Sequence, residues 1–402
     1  MSWDKQLDEG AAEFARGEYQ KAEQTLSNAV RELKDNDKLK TDFAVALEWL
    51  GRTQTSLGKF EEAEKNLKEA RQIRELTDGP ESLAVAFVDL YLSDLNVATH
   101  EFKPAYELAQ HSFAIIEKET PAYDLSIADA AMRVGVSGAH LDGKFEESES
   151  YLNKALGIRK GKLGQDHALV GQTLDELAQC HALSQNFTMA GALGRKALAI
   201  QEAALGPDHP QVGVTLYNLS TQYVSTQMFE KAEPIARRGA EVLSKLPDDH
   251  VLNIRMRERL AATCLAKGNL DEALALNKKS LASAEKVWGK DDPNIVSNLI
   301  GLGSTYLYRN DYENAELYFK RSLNILERNT KLEASQEYSL LQNLFWSYLF
   351  QLKIGDILHL VPSSARAQHI SSYGSTIDLI RAVVDYIGTQ IKNYKKDRHD
   401  YN

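Results

Sequence analysis

The chain has 402 residues, of which 43% are hydrophobic and 26% charged, with a formal net charge of −10. That apolar share is enough to bury a core, which excludes a disordered chain, and the negative balance argues against a nucleic-acid partner, whose phosphates require concentrated Lys and Arg. With only 24 glycines and 9 prolines, turn residues are too scarce for an all-β fold.

At the N-terminus, Met1-Ser2-Trp3-Asp4-Lys5 has no basic region followed by an apolar run, so no secretion signal is expected and the predicted address is cytoplasmic. From there a pattern repeats. An aromatic or leucine recurs at Tyr19, Phe60, Phe102, Phe145, Phe187, Phe229, Leu270 and Tyr312, with spacings of 41, 42, 43, 42, 42, 41 and 42. Three residues after each comes a small side chain: Ala22, Ala63, Ala105, Ser148, Ala190, Ala232, Ala273 and Ala315. Seven further on comes another: Ala29, Ala70, Ser112, Ala155, Ala197, Gly239, Ser280 and Ser322. Two residues before the aromatic, Gly17, Gly58, Gly143, Gly268 and Asn310 are turn-formers. Upstream, Leu50-Gly51, Leu177-Ala178, Leu219-Ser220 and Leu302-Gly303 mark a first helix. Each copy therefore predicts two helices, the first broken by the turn-former and the second opened by the aromatic. Small residues on one face let neighbouring helices approach closely.

Between copies lie Leu163-Gly164-Gln165-Asp166-His167, Leu205-Gly206-Pro207-Asp208-His209-Pro210, Asp249-His250 and Trp288-Gly289-Lys290-Asp291-Asp292-Pro293. In these loops the aspartate is expected to cap the next helix, with Pro210 or Pro293 in its first turn. A metal reading of this Asp-His ladder fails on distance, since equivalent loops should stand roughly 10 Å apart and zinc holds its ligands at about 2 Å. Cys180 and Cys264 occupy corresponding first helices two repeats apart, too far for a disulfide, and read as small core residues. Gly135-Val136-Ser137-Gly138 and Gly301-Leu302-Gly303 fall inside predicted helices and complete no phosphate-loop fingerprint. No hydrolase, zinc or redox motif occurs, so neither an enzyme nor a cofactor is expected.

Beyond Leu326 the pattern fades. A ninth first helix is expected over 335–353, with Pro362 cutting short any partner helix, and a last amphipathic helix over 377–394. Residues 1–330 thus read as the repeat array, and 331–402 as a degenerate ninth repeat with a capping helix, because a solenoid must cover its last apolar face. Phe345, Trp346, Tyr348 and Phe350 would fill that cap, or alternatively support self-association. The most apolar stretch, 340–361, is interrupted by Gln342, Asn343, Lys353 and Asp356, so no membrane span of about 20 residues is expected.

These repeats resemble the tetratricopeptide repeat, in the 42-residue variety of kinesin light chains. A whole kinesin light chain carries a coiled coil ahead of its repeats, which is not seen here. The resemblance implies an all-α, right-handed superhelical α-solenoid of about eight helix-turn-helix units whose first helices line a concave groove. It places Trp49, Tyr91, Val134, Glu176, Asn218, Arg259 and Gly301 in one groove column, and Glu48, Leu90, Arg133, Asp175, Tyr217, Glu258 and Ile300 in the next. The expected groove then has an aromatic end (Trp49, Phe87, Tyr91), Arg133, an acidic middle (Asp175, Glu176) and a mixed stretch of Tyr217, Asn218, Arg255, Glu258 and Arg259. Asn218 matches the family's Leu-x-Asn-Leu-Ala motif and would bind a peptide backbone; the family's carboxylate clamp is missing. Both columns change size and charge at each step, as a partner surface would, although drift of an exposed column gives the same variation. The implied function is a protein-interaction scaffold or adaptor holding a peptide or helix of a protein partner, with no nucleic acid or membrane involved. The alternative is a peptide-sensing bacterial signalling receptor of helical-repeat type.

Overall fold

The computed structural model describes residues 2–34, 36–122 and 124–328; the cap expected over 331–402 lies outside them. The described residues form sixteen α-helices in eight pairs. These are α1 (Trp3–Ala15) with α2 (Tyr19–Leu33), α3 (Lys40–Leu57) with α4 (Phe60–Asp78), and α5 (Leu83–Ala98) with α6 (Phe102–Glu119). Next come α7 (Leu125–Gly138) with α8 (Phe145–Leu163), α9 (Ala168–Leu183) with α10 (Phe187–Leu205), and α11 (Pro210–Ser225) with α12 (Phe229–Leu243). Last are α13 (Val251–Ala266) with α14 (Leu270–Trp288) and α15 (Val296–Tyr308) with α16 (Tyr312–Arg328). The architecture is an α-solenoid of helix-turn-helix units.

Every second helix opens on the repeated aromatic or on Leu270. Two residues earlier the backbone is left-handed in all eight copies, at Gly17, Gly58, His100, Gly143, Gln185, Gln227, Gly268 and Asn310. The sequence marks five of these. At His100, Gln185 and Gln227, tertiary packing imposes the same turn on residues that bear a Cβ. The small-residue positions are buried throughout: Ala22, Ala63, Ala105, Ala190, Ala232, Ala273 and Ala315 have no exposed surface. At Gly135 a Cβ would stand 2.6 Å from Leu152 Cγ and 2.9 Å from the Ser148 carbonyl, so this glycine serves close packing of α7 on α8. Cys180 and Cys264 are buried free thiols.

The expected aspartate caps need correction. His167 and His209, in extended conformation, cap α9 and α11, their Nδ1 atoms accepting from Leu169 N (3.2 Å) and Gln211 N (3.1 Å). His250 Nδ1 likewise accepts from Leu252 N at 3.2 Å. Asp166, Asp208 and Asp249 stand one residue too early. Imidazole Nδ1 is attached to Cγ as a carboxylate oxygen is, so it reaches the same amide. Of these four loops, only the last puts an aspartate at that position: Asp292 accepts from Asn294 N at 2.8 Å.

The chain forms two compact units, with the boundary between Arg259 and Leu260. In the first, distant repeats touch. His209 Nε2 lies 3.3 Å from the Ala15 carbonyl, 194 residues away, and His250 Nε2 lies 2.9 Å from the Ser56 carbonyl, again 194 residues away. Because each Nδ1 accepts the capping bond, Nε2 carries the proton and donates it. Beside these rungs a Cβ on Gly17 would lie 2.7 Å from Pro210 Cγ, and one on Gly58 would lie 2.6 Å from Val251 Cγ2. Both positions require glycine for contact as well as for φ. A third rung joins Arg255 Nη2 to His100 Nε2 at 3.2 Å. In the second unit, Asn277 Nδ2 donates to Thr305 Oγ1 at 2.9 Å, and Gly303 packs against the Phe319 ring.

Candidate functional site

The expected groove residues of the first unit lie on the first helices, and Tyr91, Arg133, Asp175, Tyr217, Asn218 and Arg259 each bond to or stack on a first helix of an adjacent repeat. At the aromatic end the Arg52 guanidinium sits 4.2 Å from the Trp49 ring centroid and 4.5 Å from that of Tyr91, with Phe14 edge-on to Trp49. Such cation–π stacking draws α3 and α5 together. Glu48 accepts from Arg74 Nε at 2.9 Å; burial pushes its carboxyl up, and Arg74 opposes the shift.

Further along, Arg133 Nη2 donates to Asp94 Oδ2 at 2.7 Å and its Nη1 to the Asp129 carbonyl at 3.1 Å, which leaves Nε buried without a partner. Arg159, from α8, is only 1% exposed. It donates to Asp129 Oδ1 (2.5 Å), Thr173 Oγ1 (2.8 Å) and the Leu169 carbonyl (3.1 Å).

The acidic pair then diverges. Asp175 is 1% exposed, and its Oδ2 accepts from Thr215 Oγ1 and Asn218 Nδ2, both at 3.0 Å, while Oδ1 has no partner. Thr215 Oγ1 is also 2.6 Å from Gln201 Oε1, and its single proton can serve only one of the two acceptors. Burial pushes Asp175 up to about 6. Glu176 is half-buried; burial pushes it up to about 8, with Asp175 and Asp94 adding and Arg159 opposing. Asn218, expected to face a peptide, thus spends one amide hydrogen on Asp175. In the last stretch Arg259 Cζ stands 5.7 Å from the Tyr217 ring centroid, and Arg255 belongs to the third rung. Glu258 is half-buried on α13.

Between α5, α7 and α9 is a cavity of about 230 Å3. Its apolar wall is Val97, Met132 and Val136, and its polar lining includes Asp94, Arg133, Gln172 and Glu176. Among the described residues, no group of three or more His, Cys, Asp or Glu side chains could hold a metal, and no helix is long and apolar enough to cross a membrane.

The expected list missed Arg52, Asp94, Asp129, Arg159 and Gln172. Arg159 had a readable signal. Fourteen residues after the repeated aromatic, the chain reads Leu33, Arg74, Ile116, Arg159, Gln201, Leu243, Ala284 and Leu326. Three polar side chains interrupt a core column, and all three bond toward the inner helices.

Residues 172–245 and 252–328 match the family model of the tetratricopeptide repeat. None of the curated protein sequences matches the chain. Among solved structures, a Rap protein complexed with competence and sporulation factor is 16% identical, covering 96% of this chain and 99% of that chain, with a TM-score of 0.62. Aspartyl phosphate phosphatase F from Bacillus subtilis is 16% identical, covering 76% of each chain at a TM-score of 0.52. Nearly identical TPR-like repeats of a candidate kinesin light chain from Podosopora anserina are 20% identical, covering 51% of this chain and 98% of that chain at a TM-score of 0.41. At these identities the first two likenesses speak for the fold alone. Residues 172–245 and 252–328 therefore carry tetratricopeptide repeats, and the fold of the described residues is an α-solenoid of helix-turn-helix units.

Proposed function

We propose that the chain is a protein-interaction scaffold whose first helices hold a peptide or helix of a partner protein, and that it works by binding rather than by catalysis. The observation that carries this reading is the contrast between two sets of columns. The small-residue packing positions keep one residue class in every repeat, whereas the inner positions run from Trp49 and Tyr91 through Arg133 and Glu176 to Tyr217 and Arg259. Half-exposed aromatic and Arg side chains of this kind dominate binding energy at interfaces. Hydrogen exchange on the complex with a partner captured from source-cell lysate tests the proposal. Protection of α3, α5, α7, α9 and α11 is expected; protection confined to α4, α6, α8 and α10 would overturn it.

A peptide-responsive receptor is the second reading, favoured by the rungs between distant repeats in the first unit. A ligand that made or broke them would change how tightly the array coils. Small-angle scattering with and without the captured peptide decides: an unchanged radius of gyration removes this reading.

A further inference from the structure

The inner face of the first unit is closely wired. Asp94 is held by Arg133, Asp129 by Arg159, Glu48 by Arg74, and Asp175 by Thr215 and Asn218. Glu176 differs. Its carboxylate makes no hydrogen bond or ion pair with any described residue, and neither does the Gln172 amide one turn before it on α9. Both line the cavity between α5, α7 and α9.

The local charges do not balance. Arg133 pairs with Asp94 and Arg159 with Asp129, which leaves Asp175 and Glu176 without a paired cation, although Arg159 acts on Glu176 from a distance. Asp175 at least has two donors; Glu176 has none. A carboxylate withdrawn from water without a counter-charge costs free energy that a bound cation would recover. The cavity's volume, about 230 Å3, falls below the ~300–1,000 Å3 of sites that enclose a whole small molecule. It suits a single long side chain. Val97, Met132 and Val136 supply an apolar wall for a methylene stem, as basic side chains prefer.

We propose that this cavity seats one basic side chain, a lysine or arginine of the bound partner segment, with Glu176 as its counter-ion and Gln172 as a second acceptor. The inference rests on the groove reading above. It also predicts a proton linkage. The groups around Glu176 are Asp94 on α5, Asp129 and Arg133 on α7, Arg159 on α8 and Asp175 on its own helix, and Asp175 titrates lower, near 6. Since Glu176 loses its proton near 8, a cation binding at pH 7 must displace that proton. Affinity should then rise about tenfold per unit between pH 6.5 and 8 and level off above.

The test uses the full chain with n-butylguanidinium and n-butylammonium as probes and 1-pentanol as the uncharged control, read by NMR titration. Both cations should shift resonances of α5, α7 and α9, pentanol should not, and Glu176→Gln should weaken the cations at least tenfold. Gln keeps the shape and removes a poorly solvated charge, so the variant should fold, as circular dichroism will register; Glu64→Gln, on outer helix α4, should leave binding unchanged. Equal binding by pentanol, binding indifferent to Glu176→Gln, or affinity flat between pH 6.5 and 8 overturns the proposal. The groove reading fails separately. If a captured partner protects the inner helices but binds Glu176→Gln as tightly as wild type, the scaffold stands and this seat does not. If it protects only the outer helices, the scaffold falls and the probe titration alone judges the cavity.

Discussion

Asp175→Asn should stabilise the protein, by an amount that depends on pH in a defined way. Asp175 is 1% exposed, and its carboxyl is raised from 3.8 to about 6 by burial. For an acid whose folded pKa is raised, the folded state binds more protons than the unfolded one between the two values. Stability is therefore undiminished below 3.8, falls as pH rises, and reaches its full loss once pH passes about 6. At about 1.36 kcal/mol per unit, the loss is about 3 kcal/mol. Asparagine removes the charge and keeps an oxygen to accept from Asn218 and Thr215, but it places an amide hydrogen where Oδ1 has no partner, at a cost of ~1 kcal/mol. The variant should be more stable than wild type by ~2 kcal/mol at pH 7.5, and less stable by ~1 kcal/mol near pH 3.5. Urea unfolding of both proteins at several pH values measures this difference. A difference that stays constant from pH 3.5 to 7.5 would refute the idea that Asp175 is buried as an uncompensated acid.

The other predictions concern the scaffold. Gln227→Gly relieves a left-handed residue at φ 58°, and after the entropy glycine adds to the unfolded chain it should raise stability by ~0.5–1 kcal/mol, seen as a higher melting temperature. Gly135→Ala drives a methyl into Leu152 and the Ser148 carbonyl and should cost ~1–3 kcal/mol in the same assay. His250→Ala removes a helix cap and a rung to Ser56, for a loss of ~1–3 kcal/mol. Burial lowers the His250 pKa from its ordinary 6.5, so that loss should be full above pH 6.5 and shrink as acid protonates the imidazole. A loss that persists undiminished at pH 5 contradicts the assigned tautomer.

The fold was legible because packing repeats. Helix starts at Tyr19, Phe60, Phe102 and their equivalents fall where the aromatics stand, since the interface that selects them recurs in each unit. The candidate site was legible only as columns. Which side chains meet depends on pairing across helices: Arg133 with Asp94, Asn218 with Asp175, Arg259 with Tyr217. A column of residues on one helix face does not encode those pairs. Arg159 escaped because the charged residue lies on a second helix, behind the face expected to bind. The histidine caps escaped because aspartate is the stronger statistical cap, and geometry put the next residue in its place.

The histidine rungs constrain chain length. An ordinary repeat array accepts an extra residue in any surface loop, because each unit answers only to its neighbours. Here Ala15 to Ser56 and His209 to His250 are both steps of 41 residues, and only because they match do both rungs close at the same 194-residue separation. One residue inserted between Gly17 and Gly58 would carry the second rung out of register unless another were inserted between His209 and His250. Loops that never touch in sequence are thereby metered against each other, like two scales read on a common vernier.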